Sequence, residues 1–270
     1  MTRRRSTAPA PRAREIAPGV YCPGPWGHTR TNVYLVRSGP HWALVDTGWA
    51  ADAPRVERAA ASLFGPGSRP AAVLLTHCHP DHAGSAPRLA REWGCPVHLH
   101  PGELPLATGD PAAIEAAAAP LDRRLLLPVM RAAGRRRYEA MLAGAGLDGA
   151  ARAFDPRAAP PGLPDWECVH TPGHTPGHTA YFRPADRVLI SGDALVTVRI
   201  GTVRGMLAPR PGLSGAPWYT TWDRRAARES VERLARLRPS VLAGGHGEPM
   251  TGPGAAAALE GFAVRAAARG

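Results

Sequence analysis

The 270-residue chain contains no lysine. All 33 of its basic residues are therefore arginine, against 22 acidic ones, which leaves a formal net charge of +11. In a composition also heavy in alanine, glycine and proline, this reflects codon bias as much as selection, so charge alone is a weak pointer to an acidic partner and no nucleic acid is expected. Cysteine is scarce: Cys22, Cys78, Cys95 and Cys168 stand far apart without a CxxC pair. That argues against a disulfide framework and against a cysteine-rich structural zinc site. Long apolar runs are missing as well. No segment could span a bilayer, and the basic start MTRRRSTAPAPRARE is not followed by the apolar stretch of a secretory leader. A cytoplasmic protein with no membrane attachment is expected.

What the chain does carry is a repeated strand habit. Residues 1–15 are aperiodic and rich in Arg, Pro and Ala, as a flexible tail would be, and the rest reads as a single domain over 16–270. Asn32 to Val36 and Trp42 to Val45 are short β-prone stretches around SerGlyPro, a hairpin pattern, and the second ends in Asp46-Thr47-Gly48. A helical segment with Val56, Ala59, Ala60 and Leu63 on one face leads to the wholly apolar Ala72 to Leu75, a buried strand that stops at Thr76-His77. A further helix is expected between Pro80 and Trp93, then a strand at Val97 to Leu99.

From about 103 to 150 the pattern turns helical and proline-broken, an insertion. Its Leu125, Leu126, Leu127, Val129 and Met130 fit a lid, a dimer contact or plain packing, so a homodimer is open. Strands resume at Glu167 to His170, Thr179 to Phe182 and Val188 to Ser191, followed by a Gly/Pro-rich loop through Pro217. That loop carries Met206, Leu207, Trp218, Tyr219 and Trp222, which are placed to face a substrate. An amphipathic helix with Ala227, Val231, Leu234 and Leu237 precedes a last strand at Val241-Leu242. Two strand-rich halves with helices outside make a layered α/β domain.

The chemistry concentrates at strand ends. Three of eleven histidines fall in Thr76-His77-Cys78-His79-Pro80-Asp81-His82. His77 and His79 alternate to one side of an extended segment, while Asp81 and His82 on the next turn can reach a second point nearby, so one segment can start two metal sites. Imidazole with carboxylate favours zinc, with iron or manganese chemically allowed. Four residues cannot fill two coordination spheres. His174 in TPGHTPGH, Asp193 in SGD and His246 in GGHG supply the remainder, each after an expected strand with glycine beside it. Two adjacent cations would lower the pKa of a shared water toward about 7, giving hydroxide as nucleophile, with Asp81 placed to orient it or shuttle a proton.

The order of LVDTG, THCHPDH, TPGHTPGH, SGDAL and GGHGEP resembles the metallo-β-lactamase superfamily over about residues 16 to 252. The resemblance implies an αββα sandwich with the site at one edge of paired sheets. It further implies that His77, His79 and His174 bind a first metal, that Asp81, His82 and His246 bind a second, and that Asp193 bridges them. Asp46 would be a supporting carboxylate near the site, not a ligand. His178, second in the TPGH repeat, would support its neighbour. His28, His41, His98, His100 and His170 are read as ordinary surface or core histidines, and Cys78 as a small buried thiol on the face opposite the ligands.

The activity expected is a dinuclear zinc hydrolase acting on a small-molecule carboxylic ester, lactone or thioester. A mononuclear iron sulfur (persulfide) dioxygenase is the alternative from another reaction class, and β-lactam hydrolysis and nuclease action rank lower. The C-terminal end has only Arg265 and Arg269, a poor match to the basic grip on glutathione found in glyoxalase-type thioesterases.

Overall fold

The computed structural model describes residues 13–132, 134, 146–200, 205 and 207–268. Two main sheets build it. The first joins β1 (Arg14–Ala17), β2 (Val20–Cys22), β3 (Tyr34–Ser38), β4 (His41–Val45), β5 (Ala72–Leu74), β6 (Val97–Leu99) and β7 (Ala151–Ala153) in chain order. Its first four strands are antiparallel, and pairing from β4 through β7 is parallel. The second sheet contains β8 (Glu167–His170), β9 (Thr179–Arg183), β10 (Val188–Gly192), β13 (Val241–Gly244) and β14 (Met250–Thr251), in the order β14-β13-β10-β9-β8.

Period-two alternation sorts the apolar residues into layers. In the first sheet Tyr34, Val36, Ala43, Val45, Ala72 and Leu74 face inward and meet Tyr181, Val188, Ile190, Val241 and Ala243 of the second. The intervening Leu35, Leu44 and Val73 face outward, against Val56 of helix α1 (Ala53–Phe64) and Leu89 of α3 (Ala86–Trp93). Outward residues Phe182, Leu189 and Leu242 of the second sheet likewise meet Val231, Leu234 and Leu259 of two C-terminal helices. The result is the αββα sandwich that the resemblance implies. It also explains why the β5 segment is apolar without alternation: both of its faces are buried.

Several expectations need correction. Arg14 and Glu15 belong to β1, so an N-terminal tail cannot reach residue 15; residues 1–12 lie outside the described ones. The helix expected from Pro80 to Trp93 is two pieces, α2 (Pro80–Ala83) and α3. Their junction is tight, since a Cβ on Gly84 would lie 2.3 Å from the Pro80 carbonyl oxygen. The Gly/Pro-rich stretch after Asp193 is not simply a loop. Its ends pair as β11 (Leu195–Arg199) and β12 (Arg210–Gly215), because Leu195, Val196 and Val198 find buried positions there. Met206 and the side chain of Met130 lie outside the described residues, as do residue 133 and residues 135–145 of the insertion. The rest of the insertion includes α4 (Leu104–Ala107), α5 (Pro111–Ala117), a π-helical turn at Asp122–Leu126 and α6 (Leu127–Ala132). Among the described residues no helix is long and apolar enough to cross a membrane.

Candidate metal centre

Strands β4, β5, β8, β10 and β13 all point their C-terminal ends toward one edge of the sandwich, and each releases a polar side chain there. Asp46 follows β4, His77 and His79 follow β5, His174 follows β8, Asp193 follows β10 and His246 follows β13. Asp81 and His82 come from α2, whose Pro80 occupies the first helical turn where a missing N–H costs nothing. Glycines let the backbone come close. A Cβ on Gly192, which has φ +50°, would sit 2.7 Å from His178 Nε2, and one on Gly245 would sit 2.2 Å from Asp193 Oδ1.

The seven residues picked from sequence come together as two triads and a link. His77, His79 and His174 form one group with a donor atom each within 4.8 Å of the others, and Asp81, His82 and His246 form another. His79 Nδ1 lies 2.8 Å from His174 Nε2 and 3.1 Å from His77 Nε2; His82 Nε2 lies 3.4 Å from His246 Nε2. Ring nitrogens bound to one tetrahedral zinc at ordinary bond lengths stand about 3.3 Å apart. Asp193 reaches both triads. Its Oδ2 is 3.4 Å from His174 Nε2 and 3.2 Å from His246 Nε2, and its Oδ1 is 3.3 Å from His82 Nε2.

Whether a metal suits these residues can be judged from what the side chains leave unmet. Asp193 Oδ1 is buried with no hydrogen-bond donor, a costly arrangement unless a cation satisfies it. The far side of several rings is already committed. His82 Nδ1 is 2.8 Å from Asp46 Oδ2, and His246 Nδ1 is 2.8 Å from the Thr29 carbonyl oxygen, so each Nδ1 donates and each Nε2 keeps its lone pair for the cluster. Electrostatics agree. Burial alone would lower the pKa of His82, yet Asp193, Asp46 and Asp81 raise it well above the ordinary value; His246 is also raised, chiefly by Asp193 acting against burial. A place that draws protons so strongly is a cation site. The residues present fit divalent metals.

The family model of the metallo-beta-lactamase superfamily matches residues 26–246. The chain belongs to this superfamily. It is 34% identical over 229 residues, 82% of each chain, to a Bacillus subtilis (strain 168) protein described as "Probable metallo-hydrolase YflN". Among solved structures it resembles the metallo-beta-lactamase family protein TTHA1429 of Thermus thermophilus, with a TM-score of 0.66 at 24% identity, covering 94% of this chain and 81% of that one. It also resembles TTHA1623, solved in a di-iron-bound form, with a TM-score of 0.51 at 29% identity, covering 84% of this chain and 92% of that one. The superfamily binds divalent metals, and this member is a metal-dependent hydrolase.

Other residues support the superfamily's cluster. Asp46, buried and with φ +58°, accepts from the Thr76 N–H at 2.8 Å and from the Thr76 hydroxyl while holding His82. His178 keeps out of the triads: its Nδ1 meets the Thr171 hydroxyl at 2.8 Å, and its Nε2 accepts the Asp193 N–H at 3.0 Å. Burial pushes its pKa down to about 3, so it stays a neutral acceptor. His98, His100 and His170 do not enter the ligand groups, and His100 stacks on His170 with ring centroids 4.2 Å apart. Cys78 packs beside the outer core of the first sheet, yet it also lines the cavity next to His79, so it is not turned wholly away from the site.

The sequence reading missed Glu103. This fully buried carboxylate accepts the Cys78 N–H at 2.9 Å through Oε2, and the Thr175 hydroxyl at 2.6 Å and the Gly177 N–H at 2.9 Å through Oε1. It thereby ties the strand-end carrying His77 and His79 to the loop carrying His174. Its only sequence signal is an acidic residue opening the insertion between two prolines. The Trp218–Trp222 segment wraps the other side of that loop, with the Trp222 N–H donating to the His174 carbonyl at 3.2 Å. Tyr219 lies close enough to Asp193 and Asp81 for their charges, with burial, to raise its phenol pKa.

Proposed function

We propose that the chain is a dinuclear zinc hydrolase of a small-molecule carboxylic ester, lactone or thioester. The observation that carries this reading is Asp193, whose one carboxylate reaches histidines of both triads at 3.2–3.4 Å. Five imidazoles and two carboxylates are a donor set suited to zinc, although the di-iron form of TTHA1623 makes metal analysis part of the test. Two metals held there would supply Lewis acidity and a hydroxide nucleophile at neutral pH.

The chain's own residues do the positioning. Asp46 and the Thr29 carbonyl fix the tautomers of His82 and His246. Asp81 has its Oδ2 3.4 Å from His246 Nε2 and, unlike Asp193, remains partly open to solvent. An accessible carboxylate edge beside the reacting centre can take a proton from the attacking water and deliver it to the leaving group. A cavity of about 440 Å³ opens beside His79, walled by the insertion and by Thr175 and Thr220, a volume suited to a small organic substrate. A mononuclear iron dioxygenase would have no use for the Asp81, His82 and His246 group, which counts against that alternative.

The test is pH-stat acid release from a lactone, a thioester and a β-lactam, run with metal analysis on wild type and His174→Ala. Two zinc ions per chain and turnover that disappears with the metals in the variant are expected. A single iron without hydrolysis would overturn the proposal.

A further inference from the structure

The cavity beside His79 has a chemical bias opposite to that of the whole chain. Among the described residues lining it there is no arginine, although the chain has 33. Its wall is apolar, from Leu106, Ile114, Ala118, Leu126 and Leu127 of the insertion. One charge stands on that wall, Asp122, in the first turn of the π-helical segment. Among the described residues no arginine or histidine lies within ion-pair distance of its carboxylate, and the charged group that acts on it is His79, at the metal end of the cavity. Burial in part pushes the Asp122 carboxyl above the usual range while His79 draws it back.

A substrate carboxylate or phosphate is normally met by a forked arginine contact. Here an unpaired carboxylate stands in a partly desolvated apolar slot, where a like charge is repelled more strongly than in water. We propose that Asp122 is a specificity-determining residue, which turns the cavity against acyl groups bearing a negative charge and leaves apolar acyl groups, neutral or carrying a cationic end, as the substrate class. The proposal deepens the hydrolase reading and rests on it. Glutathione thioesters and β-lactams, both carboxylate-bearing, are then poor substrates for a reason separate from the metals.

The experiment uses zinc-loaded wild type, Asp122→Asn and Asp122→Glu with three esters of similar length: p-nitrophenyl hexanoate, mono-p-nitrophenyl adipate and p-nitrophenyl 6-aminohexanoate. In wild type kcat/KM is expected to favour the neutral over the anionic ester by about tenfold or more, the cost of one like-charge contact. Asn should shrink that ratio by about tenfold, mainly through KM for the anionic ester, and Glu should keep it. An equal ratio in wild type and Asp122→Asn overturns the proposal. Calorimetric titration of the same proteins with octyltrimethylammonium and octanesulfonate gives a readout without turnover. If no ester is cleaved, the hydrolase reading falls, while Asp122 stands or falls on whether Asn relaxes the preference for the cation. Equal cation preference in both proteins would sink the Asp122 assignment whatever the kinetics.

Discussion

Replacing Glu103 tests whether the two loops of the first triad are held by one buried carboxylate. Its three donors, the Cys78 N–H, the Thr175 hydroxyl and the Gly177 N–H, lie 2.6–2.9 Å away. Hydrogen bonds to an ionised group are worth about 1.5–3 kcal/mol each. In Glu103→Gln the amide oxygen can keep the Thr175 and Gly177 bonds on the Oε1 side, but the new NH₂ then faces the Cys78 N–H, donor against donor. That one lost bond should cost about 1–3 kcal/mol. For a chain of this size the corresponding fall in Tm is about 5 °C. Glu103→Ala strands all three donors and should cost about 3–6 kcal/mol, reduced somewhat because a charge is no longer buried.

The decisive readout is metal affinity. His77 and His79 flank Cys78, and His174 precedes Thr175, so slackening this clamp should weaken the first metal about 10–100-fold while the Asp81, His82 and His246 group changes little. Zinc titration against a competing chelator resolves two sites in wild type and should show one weakened site in Glu103→Gln. A variant with the lower Tm but two wild-type affinities would refute the clamp and leave Glu103 a packing residue.

The other predictions address the remaining supports. Gly245→Ala would put a Cβ 2.2 Å from Asp193 Oδ1 and 2.8 Å from His82 Cε1, so metal analysis should find at least one zinc lost; full occupancy would mean the loop yields freely. Asp46→Asn removes the carboxylate that holds His82 Nδ1 at 2.8 Å, and should weaken the second zinc about 10–100-fold, with unchanged affinity counting against the supporting role. Asp193→Ala should lose metal and turnover together, and a fully metallated, active variant would dismiss the bridge. A pH effect is expected from His100, which burial, and then the charge of His170, lowers from 6.5 to about 4. The unfolded chain takes up that proton near 6.5 and the folded chain only near 4, so stability is level above 6.5 and falls as pH drops through the interval. After allowance for partial exposure the loss is about 1–2 kcal/mol. Thermal melts of His100→Phe should flatten this slope, and parallel curves would rule His100 out.

The contrast between the ligands and Glu103 shows which parts of such a site a sequence can display. His77, His79, Asp81 and His82 lie within six consecutive positions, and His174, Asp193 and His246 each follow an apolar strand and sit beside glycine. Strand, tight turn and polar side chain are adjacent in the chain, so local pattern suffices to mark them. The layers are legible for the same reason, since alternation in Tyr34-Leu35-Val36 and Ala43-Leu44-Val45 assigns each residue a face. Where contrast fails, so does the reading. The helix Gly254–Ala267 is so rich in alanine that no apolar stripe stands out, and the β11–β12 pair lies in glycine and proline whose turn signals mask the strands between them. Glu103 and Asp122 fail for a further reason. Each acts across space on a histidine or its loop 20 or more positions away in the chain, Glu103 on Cys78 and Thr175, Asp122 on His79. Both belong to the insertion, which sequence could describe only as helical. The metal centre is thus written in motifs, whereas its substrate selection is written in a segment whose side chains acquire meaning only once it folds over the cavity. Substitutions within 103–132 should accordingly alter which ester is cleaved before they alter whether zinc is bound, with Glu103 the exception because its bonds reach the ligand loops themselves.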